Sequence, residues 1–304
     1  YNNFYFLGGS ATWANIRGLL TNNINNLKLY EQDDYKAKKI DVWGISDKNL
    51  MLEANEVLKQ QTKPFFSIIQ TADNHRPYTI PEEDRNEFKL KTVSKDSLNR
   101  FGFESNEEMN AFRYTDFGFQ KFMEAAQKEK YFKNTIFVFV GDHGIRFNGT
   151  LDYFPKAWTE QGLTSEHVPL LFYAPGLLKP QRIHDVASQV DILPTIASLA
   201  KIPYTNNSLG RNLFDTASTV SINNEKYAFI IDHDVKSVGL VSNRYYFLKN
   251  YKTGKEDFVS ITNNEPVPAN ASTDSIKNNL QRLTDAYYET AKYLLLNNKK
   301  KQQP

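Results

Sequence analysis

The sequence predicts an α/β protein: a doubly wound, mostly parallel sheet with a small C-terminal antiparallel sheet and a terminal helix. Three observations predict it. Apolar strand-like runs alternate with amphipathic helical segments as far as Pro203, the βαβ pattern of a parallel sheet. The run Thr135–Val140 (TIFVFV) is apolar, β-branched and aromatic throughout, as in a strand buried on both faces. Beyond Pro203 short strands alternate with turn residues, as in an antiparallel meander. The expected division is an α/β domain over 1–203 and a sheet-and-helix subdomain over 204–304.

Each element has its own warrant. Phe4–Leu7 reads as a short buried strand ended by Gly8-Gly9-Ser10. Ser10 or Thr12 caps a helix through Trp13, Ile16, Leu19 and Leu20. The asparagine-rich Thr21–Asn26 is a loop. Asp41–Gly44 leads to Ser46, an N-cap for a helix with Leu50, Ala54, Val57 and Leu58 on one face. Pro64–Ala72 is a second apolar strand, followed by Asp73-Asn74-His75. Arg76–Lys95 carries prolines and charges and reads as a long surface loop. A helix begins near Ser105, with Met109, Phe112, Phe119, Met123 and Ala126 at helical spacing, and feeds the strand at Thr135. Val168–Tyr173 is another buried strand, and a helix runs from about Val190 to Lys201. Ala228–Ile231, Ser237–Val241 and Tyr245–Leu248 form the meander, and an amphipathic helix over Thr273–Leu296 ends the fold.

Composition narrows the function. A chain of 304 residues, 40% hydrophobic and 24% charged, can bury a large core. A net charge of +2 argues against nucleic acid as a partner, and Lys299-Lys300-Lys301 reads as a solvated tail. With no cysteine there is no disulfide framework, thiol nucleophile or thiolate metal site. No run reaches the ~20 apolar residues that span a bilayer. The chain opens at Tyr1 inside strand-like sequence, as a piece of a longer protein would.

Chemistry concentrates at strand ends. In open α/β sheets it sits beyond the carboxyl ends of the strands, where Asp142 and His143 follow Thr135–Val140 with glycines on both sides. Asp and His suit divalent cations, so the pair reads as half of a metal site; the alternative is an Asx turn beside a surface histidine. His75 follows the strand Pro64–Ala72, and His167 precedes Val168–Tyr173. No G-x-G-x-x-G, Walker A, G-x-S-x-G or H-E-x-x-H motif is present, which argues against nucleotide cofactors, α/β-hydrolase chemistry and a zinc helix.

Four blocks in order carry a resemblance: TADNHRPY (Thr71–Tyr78), GDHG (Gly141–Gly144), EHVPLLFYAPG (Glu166–Gly176) and VDILPTIASLAKIP (Val190–Pro203). Together with FLGGSATWANIRG (Phe6–Gly18), they make the chain similar to the alkaline phosphatase/sulfatase superfamily, most like its lipoteichoic acid synthase branch of phosphoglycerol transferases. The resemblance implies Asp142 and His143 as metal ligands and His75, with Asn74, as the catalytic contact to the transferring group and leaving oxygen. It implies Arg17, Trp13, Asn15 and His167 as substrate-binding residues, Arg17 because a guanidinium suits phosphate; His167 is alternatively a second-site ligand. An imidazole beside Asp142 favours Mn2+, with Zn2+ or Ca2+ as alternatives, and so favours phosphate over sulfate esters.

The expected enzyme is therefore a metal-dependent transferase or hydrolase of phosphoglycerol-type esters of the cell envelope. The rivals are a sulfatase and a catalytically dead binding module of the same fold. In the branch, a nucleophilic hydroxyl and an acidic metal ligand belong upstream of the glycine-rich turn, so this chain is expected to carry half a site and act poorly alone. The resemblance also implies a bacterial, extracytoplasmic domain of a membrane-anchored protein. The loops bearing Asn74-His75 and Asp142-His143 are expected to meet over one sheet edge.

Overall fold

A computed structural model describes residues 1–147, 149, 151, 153–215 and 226–297. The chain divides into two compact units, the first comprising Tyr1–Thr135 with Ala174–Leu177, the second Ile136–Tyr173 with Leu178–Pro304. The Lys299–Lys301 tail lies outside the described residues.

The first unit is built on β1 (Asn2–Leu7), the middle strand of a parallel sheet ordered β2-β1-β3, with β2 at Leu27–Tyr30 and β3 at Phe65–Gln70. Strand alternation sends Phe4 and Phe6 to one face, against Ile45, Leu50, Ala54 and Leu58. Tyr5 and Leu7 go to the other, against Ala11 and Ile16. Both faces are covered, as the doubly wound expectation requires. The helices responsible are α1 (Ile16–Asn23) and α2 (Asp47–Leu58). Ser46 caps α2, its hydroxyl accepting from Asn49 N at 3.4 Å.

Three details differ from the sequence reading. Neither Ser10 nor Thr12 caps α1; the chain enters it through Ala14 and Asn15 at φ 47° and 54°. The loop expected over Thr21–Asn26 starts as the end of α1, and β2 follows it as a strand too short and mixed to stand out. The loop after β3 is not all surface: Ile80 and Phe88 are buried against Tyr114, and the buried Asp84 pairs with Lys48 and accepts from the Tyr114 hydroxyl.

Beyond the short α3 (Lys95–Arg100), α4 (Asn106–Ala126) starts where expected, with the Ser105 hydroxyl accepting from Glu108 N at 3.1 Å. Its buried seam is Ala111, Tyr114, Thr115, Gly118, Phe122 and Ala126 rather than the larger Met109, Phe112, Phe119 and Met123, which are half-buried. The seam follows the face on which α4 approaches α2 closely: a Cβ on Gly118 would sit 3.3 Å from Lys48 N.

In the second unit, β4 (Phe137–Val140) pairs antiparallel with β5 (Leu170–Tyr173), Phe137 opposite Tyr173 and Val140 opposite Leu170. This corrects the expectation of two buried parallel strands: Val140 and Leu171 are exposed. Two helical turns, α5 (Ala157–Glu160) and α6 (Leu163–Glu166), lie between them in sequence, and α7 (Ile192–Leu199) follows β5. The meander has four strands, β6 (Ala228–Asp232), β7 (Ser237–Val241), β8 (Tyr245–Asn250) and β9 (Glu256–Ser260), in consecutive order. The polar-edged β9 was not legible as a strand. One face of this sheet packs Tyr227, Leu240 and Phe247 on Leu280 of α8 (Ala271–Asn297). The other packs Tyr246 and Ile261 on Leu163 and Trp158. Among the described residues no helix is long and apolar enough to cross a membrane.

Candidate functional site

In the first unit, glycines bring two loops into contact. A Cβ on Gly44, whose φ is +100°, would run into Gly8 O, and one on Gly9 would stand 2.7 Å from Trp43 O. Only glycine lets these backbones meet. Ile45 N then donates to Gly8 O at 3.1 Å, docking the Asp41–Gly44 turn on the turn after β1.

That docking sets Trp43 among the expected site residues. Its ring lies edge-on to Trp13 at 5.9 Å and stacks on the His75 imidazole at 4.6 Å and 25°. Its Nε1 donates to Arg76 O at 2.7 Å. Trp13 is 53% exposed. Arg17 forms an ion pair with Glu31, whose other oxygen accepts from Ala11 N at 2.7 Å. Asn15 is exposed, with its side chain over Gly18. Thus the structure gathers Trp13 and His75 through Trp43. Sequence reasoning missed Trp43 because its signal, a tryptophan followed by glycine in a short apolar stretch, also fits a core turn.

Beneath Asn74 and His75 lies a buried acidic network. Asp47, at the start of α2, accepts from Ala72 N at 2.7 Å and Asp73 N at 3.2 Å, and Asp47 N donates to Asp73 Oδ2 at 2.7 Å. Thr115 Oγ1 lies 2.7 Å from Asp47 Oδ2 and 3.0 Å from the Asn74 side-chain amide. Both partners accept, so the single hydroxyl proton is shared between the Asp47 carboxylate and Asn74 Oδ1. Burial pushes both carboxyls up; for Asp73 the neighbouring Asp47 charge adds to it.

The second unit carries the Asp-His turn. A Cβ on Gly144 would collide with Thr164 O, and Gly144 N donates to Ser165 O at 2.7 Å. Gln189 Nε2 sits 2.7 Å from both Gly141 O and Asp142 O. The exposed Asp142 accepts from His143 N at 2.9 Å, the local bond an Asx turn would make. His143 Nδ1 lies 2.8 Å from Gly144 O. With a proton on Nδ1 for that bond, Nε2 carries the lone pair, the tautomer a metal ligand needs.

The backbone of Gly144 passes beside His167, whose carbonyl oxygen would be 2.8 Å from a Cβ there. The His167 ring meets Trp158 edge-on at 5.0 Å and Phe154 at 6.0 Å. Burial against this pair lowers its pKa, favouring neutral imidazole at pH 7. Burial raises the Glu166 carboxyl, with Asp232 adding to the effect and Arg146 and His143 opposing it. A carboxylate beside an imidazole fits a divalent cation of the manganese or zinc kind. Among the described residues, however, no three His, Asp or Glu side chains gather as a metal site would require.

The turn chemistry and the strand-end placement sit in a chain that belongs to the sulfatase family, whose profile matches residues 1–202. Among individual relatives, the lipoteichoic acid synthase-like protein YvgJ of Bacillus subtilis is 30% identical over 171 residues, 52% of this chain and 25% of that protein. Arylsulfatase K of Gallus gallus is 33% identical over 127 residues, 40% of this chain and 23% of its own. The matched stretch is about a quarter of the length of these relatives. By name both are enzyme types of the superfamily.

Two crystal structures share the fold. The lipoteichoic acid synthase LtaP of Listeria monocytogenes superposes with a TM-score of 0.69 at 16% identity, covering 97% of this chain and 70% of that one. An alkaline phosphatase superfamily protein of Vibrio parahaemolyticus gives 0.67 at 23%, covering 95% and 66%. The expected fold class, α/β with a parallel sheet, a small antiparallel sheet and a C-terminal helix, is the one observed.

Proposed function

We propose that this chain belongs to a metal-dependent enzyme that transfers or hydrolyses phosphoglycerol-type phosphate esters of the cell envelope, at the surface of a membrane-anchored protein. The observation that supports this most is the Asp142-His143 turn at the end of a strand, with Nδ1 of His143 set against the Gly144 carbonyl. An imidazole donor suits Mn2+ or Zn2+ better than Ca2+. Similarity to YvgJ and to LtaP points the same way.

The roles follow from the chemistry of each group. Asp142 and His143 would hold the cation, which would supply Lewis-acid polarisation of an ester oxygen. His75, oriented by Trp43, holds a proton at the leaving oxygen, and Asn74, tied to Thr115, donates to the transferring group. Arg17 binds the anionic phosphate with the donors Glu31 does not engage, Trp13 and Asn15 flank it, and neutral His167 contacts substrate. Residues 1–203 carry this chemistry and 204–304 support it.

A sulfatase is the second reading, supported by the match to arylsulfatase K. Assaying the full-length protein on bis(4-nitrophenyl) phosphate and 4-nitrophenyl sulfate separates the two. The proposal expects the phosphodiester to be cleaved at least tenfold faster (roughly 1.4 kcal/mol) with Mn2+ present. Faster sulfate cleavage refutes it.

A further inference from the structure

Below the Glu166 turn, on the face of the antiparallel sheet that packs Trp158 and Leu163, lies a cleft of about 200 Å³. It belongs wholly to the second unit, and its geometry is independent of the proposed reaction. Tyr246 and Ser237 form its floor, 2% and 4% exposed. Neither hydroxyl makes a side-chain hydrogen bond among the described residues. Neither oxygen is among the fully enclosed unpartnered atoms, so both open onto the cleft and are available to whatever enters it. The Tyr246 ring is laid over Gly239, where a Cβ would stand 2.7 Å from Cε2.

The walls define the charge of that occupant. Glu160, Glu166, Asp232 and Asp257 face Arg146 and Lys255, four carboxylates against two cations. Asp232 lies 3.6 Å from Arg146, and Asp257 lies 3.3 Å from Lys255. Glu160 and Glu166 have no ion pair among the described residues, so the cleft keeps an excess of negative charge that concentrates cations. A bare metal ion is a poor fit, because no three acidic or histidine side chains among the described residues converge on one point. The remaining lining is the apolar Ile230, Val235 and Leu248 with the amides Gln161 and Asn250. An aromatic and aliphatic floor under a carboxylate rim suits an organic ammonium with a short carbon chain.

We propose that this cleft binds a small ammonium bearing a hydroxyl, an amino alcohol of the ethanolamine type. Its ammonium donates to the rim carboxylates Glu160 and Glu166, and its oxygen pairs with the Tyr246 and Ser237 hydroxyls. The inference concerns residues outside the Asp142-His143 turn and stands whether or not the chain acts on phosphate esters.

Ethanolamine titrated into the 304-residue chain, followed through the NMR resonances of the tyrosine rings, tests it. The expected result is saturable binding in the millimolar range (about −4 kcal/mol), with ethylene glycol producing no saturation. Glu160→Gln and Tyr246→Phe are each expected to weaken it roughly five- to tenfold, the loss of one hydrogen-bonded partner. Ser237→Ala repeats the floor test should Tyr246→Phe fold poorly. The proposal is overturned by an absence of saturation, by an equal response to ethylene glycol, or by tetramethylammonium binding as tightly as ethanolamine. Binding of Ca2+ or Mn2+ that excludes ethanolamine and is lost in Glu160→Gln overturns it as well.

Discussion

His75 and His143 are held in opposite ways. His75 is half-buried, stacked on Trp43 above a network of buried carboxyls. His143 is exposed and is held through backbone, by Gly144 O at its ring and by Gln189 on the carbonyls before it. The contrast matches the tasks proposed for them. A group that handles a proton gains from a rigid, partly dry setting that sets orientation. A metal ligand needs an accessible lone pair and a fixed tautomer, which a backbone carbonyl provides. It follows that the first site should fail through packing and the second through loss of turn geometry.

The first site should therefore be the more fragile to substitution. Gly44→Ala places a Cβ into Gly8 O at positive φ, so a loss of at least about 3 kcal/mol is expected in urea denaturation. Asp47→Ala strands the Ala72 and Asp73 amides and the Thr115 hydroxyl, and about 2–4 kcal/mol should be lost. The same pair sets a pH dependence. Both carboxyls titrate above the ordinary 3.8, so between that value and their raised pKa the folded state binds more protons than the unfolded one. Their contribution is full below the unfolded pKa and declines as pH rises through the folded one. Asp73→Asn should flatten the fall in melting temperature on going from pH 4 to 8; an unchanged slope would show that other groups set it.

Smaller effects sharpen the contrast. Trp43→Ala removes the stack on His75 and should cost about 1 kcal/mol beyond the lost area, lowering kcat more than it raises KM. Trp43→Phe, which keeps a ring but loses the bond to Arg76 O, should recover part of that kcat. Gln189→Ala removes the side-chain donor shared by Gly141 O and Asp142 O and should cost about 1 kcal/mol. Its larger signature should be weaker Mn2+ binding with His75 resonances unmoved. Trp13→Ala, at an exposed position, should change stability by less than about 0.5 kcal/mol and act on KM; equal loss of kcat would place Trp13 in positioning rather than binding.

Much of this architecture was legible in the residues. Phe4–Leu7 and Pro64–Ala72 read as apolar strands, the second of them half-buried over Phe65–Gln70, and Ser46 and Ser105 announced their helices by capping. What escaped has physical reasons. The pairing of Leu170–Tyr173 with Phe137–Val140 depends on partners remote in sequence, and an apolar run does not state its direction. The α4 seam escaped because the close approach of α2 at Gly118 selects the buried face, and two faces of this helix carry apolar residues at helical spacing. Asp47, in the first turn of α2, carries no local signal that sets it apart. Its burial beneath Asn74 follows from the start of α2 lying beside the loop that leaves β3, which no local pattern encodes.

The claim on which the account turns is that Asp142 and His143 are donors to a divalent cation. Manganese titrated into the 304-residue chain, with the free ion read by electron paramagnetic resonance, addresses it directly. The account predicts weak, saturable binding that falls at least tenfold in both Asp142→Ala and His143→Ala (roughly 1.4 kcal/mol each) and is unchanged in His75→Ala. Binding that survives both substitutions, or that depends on His75 alone, would contradict it.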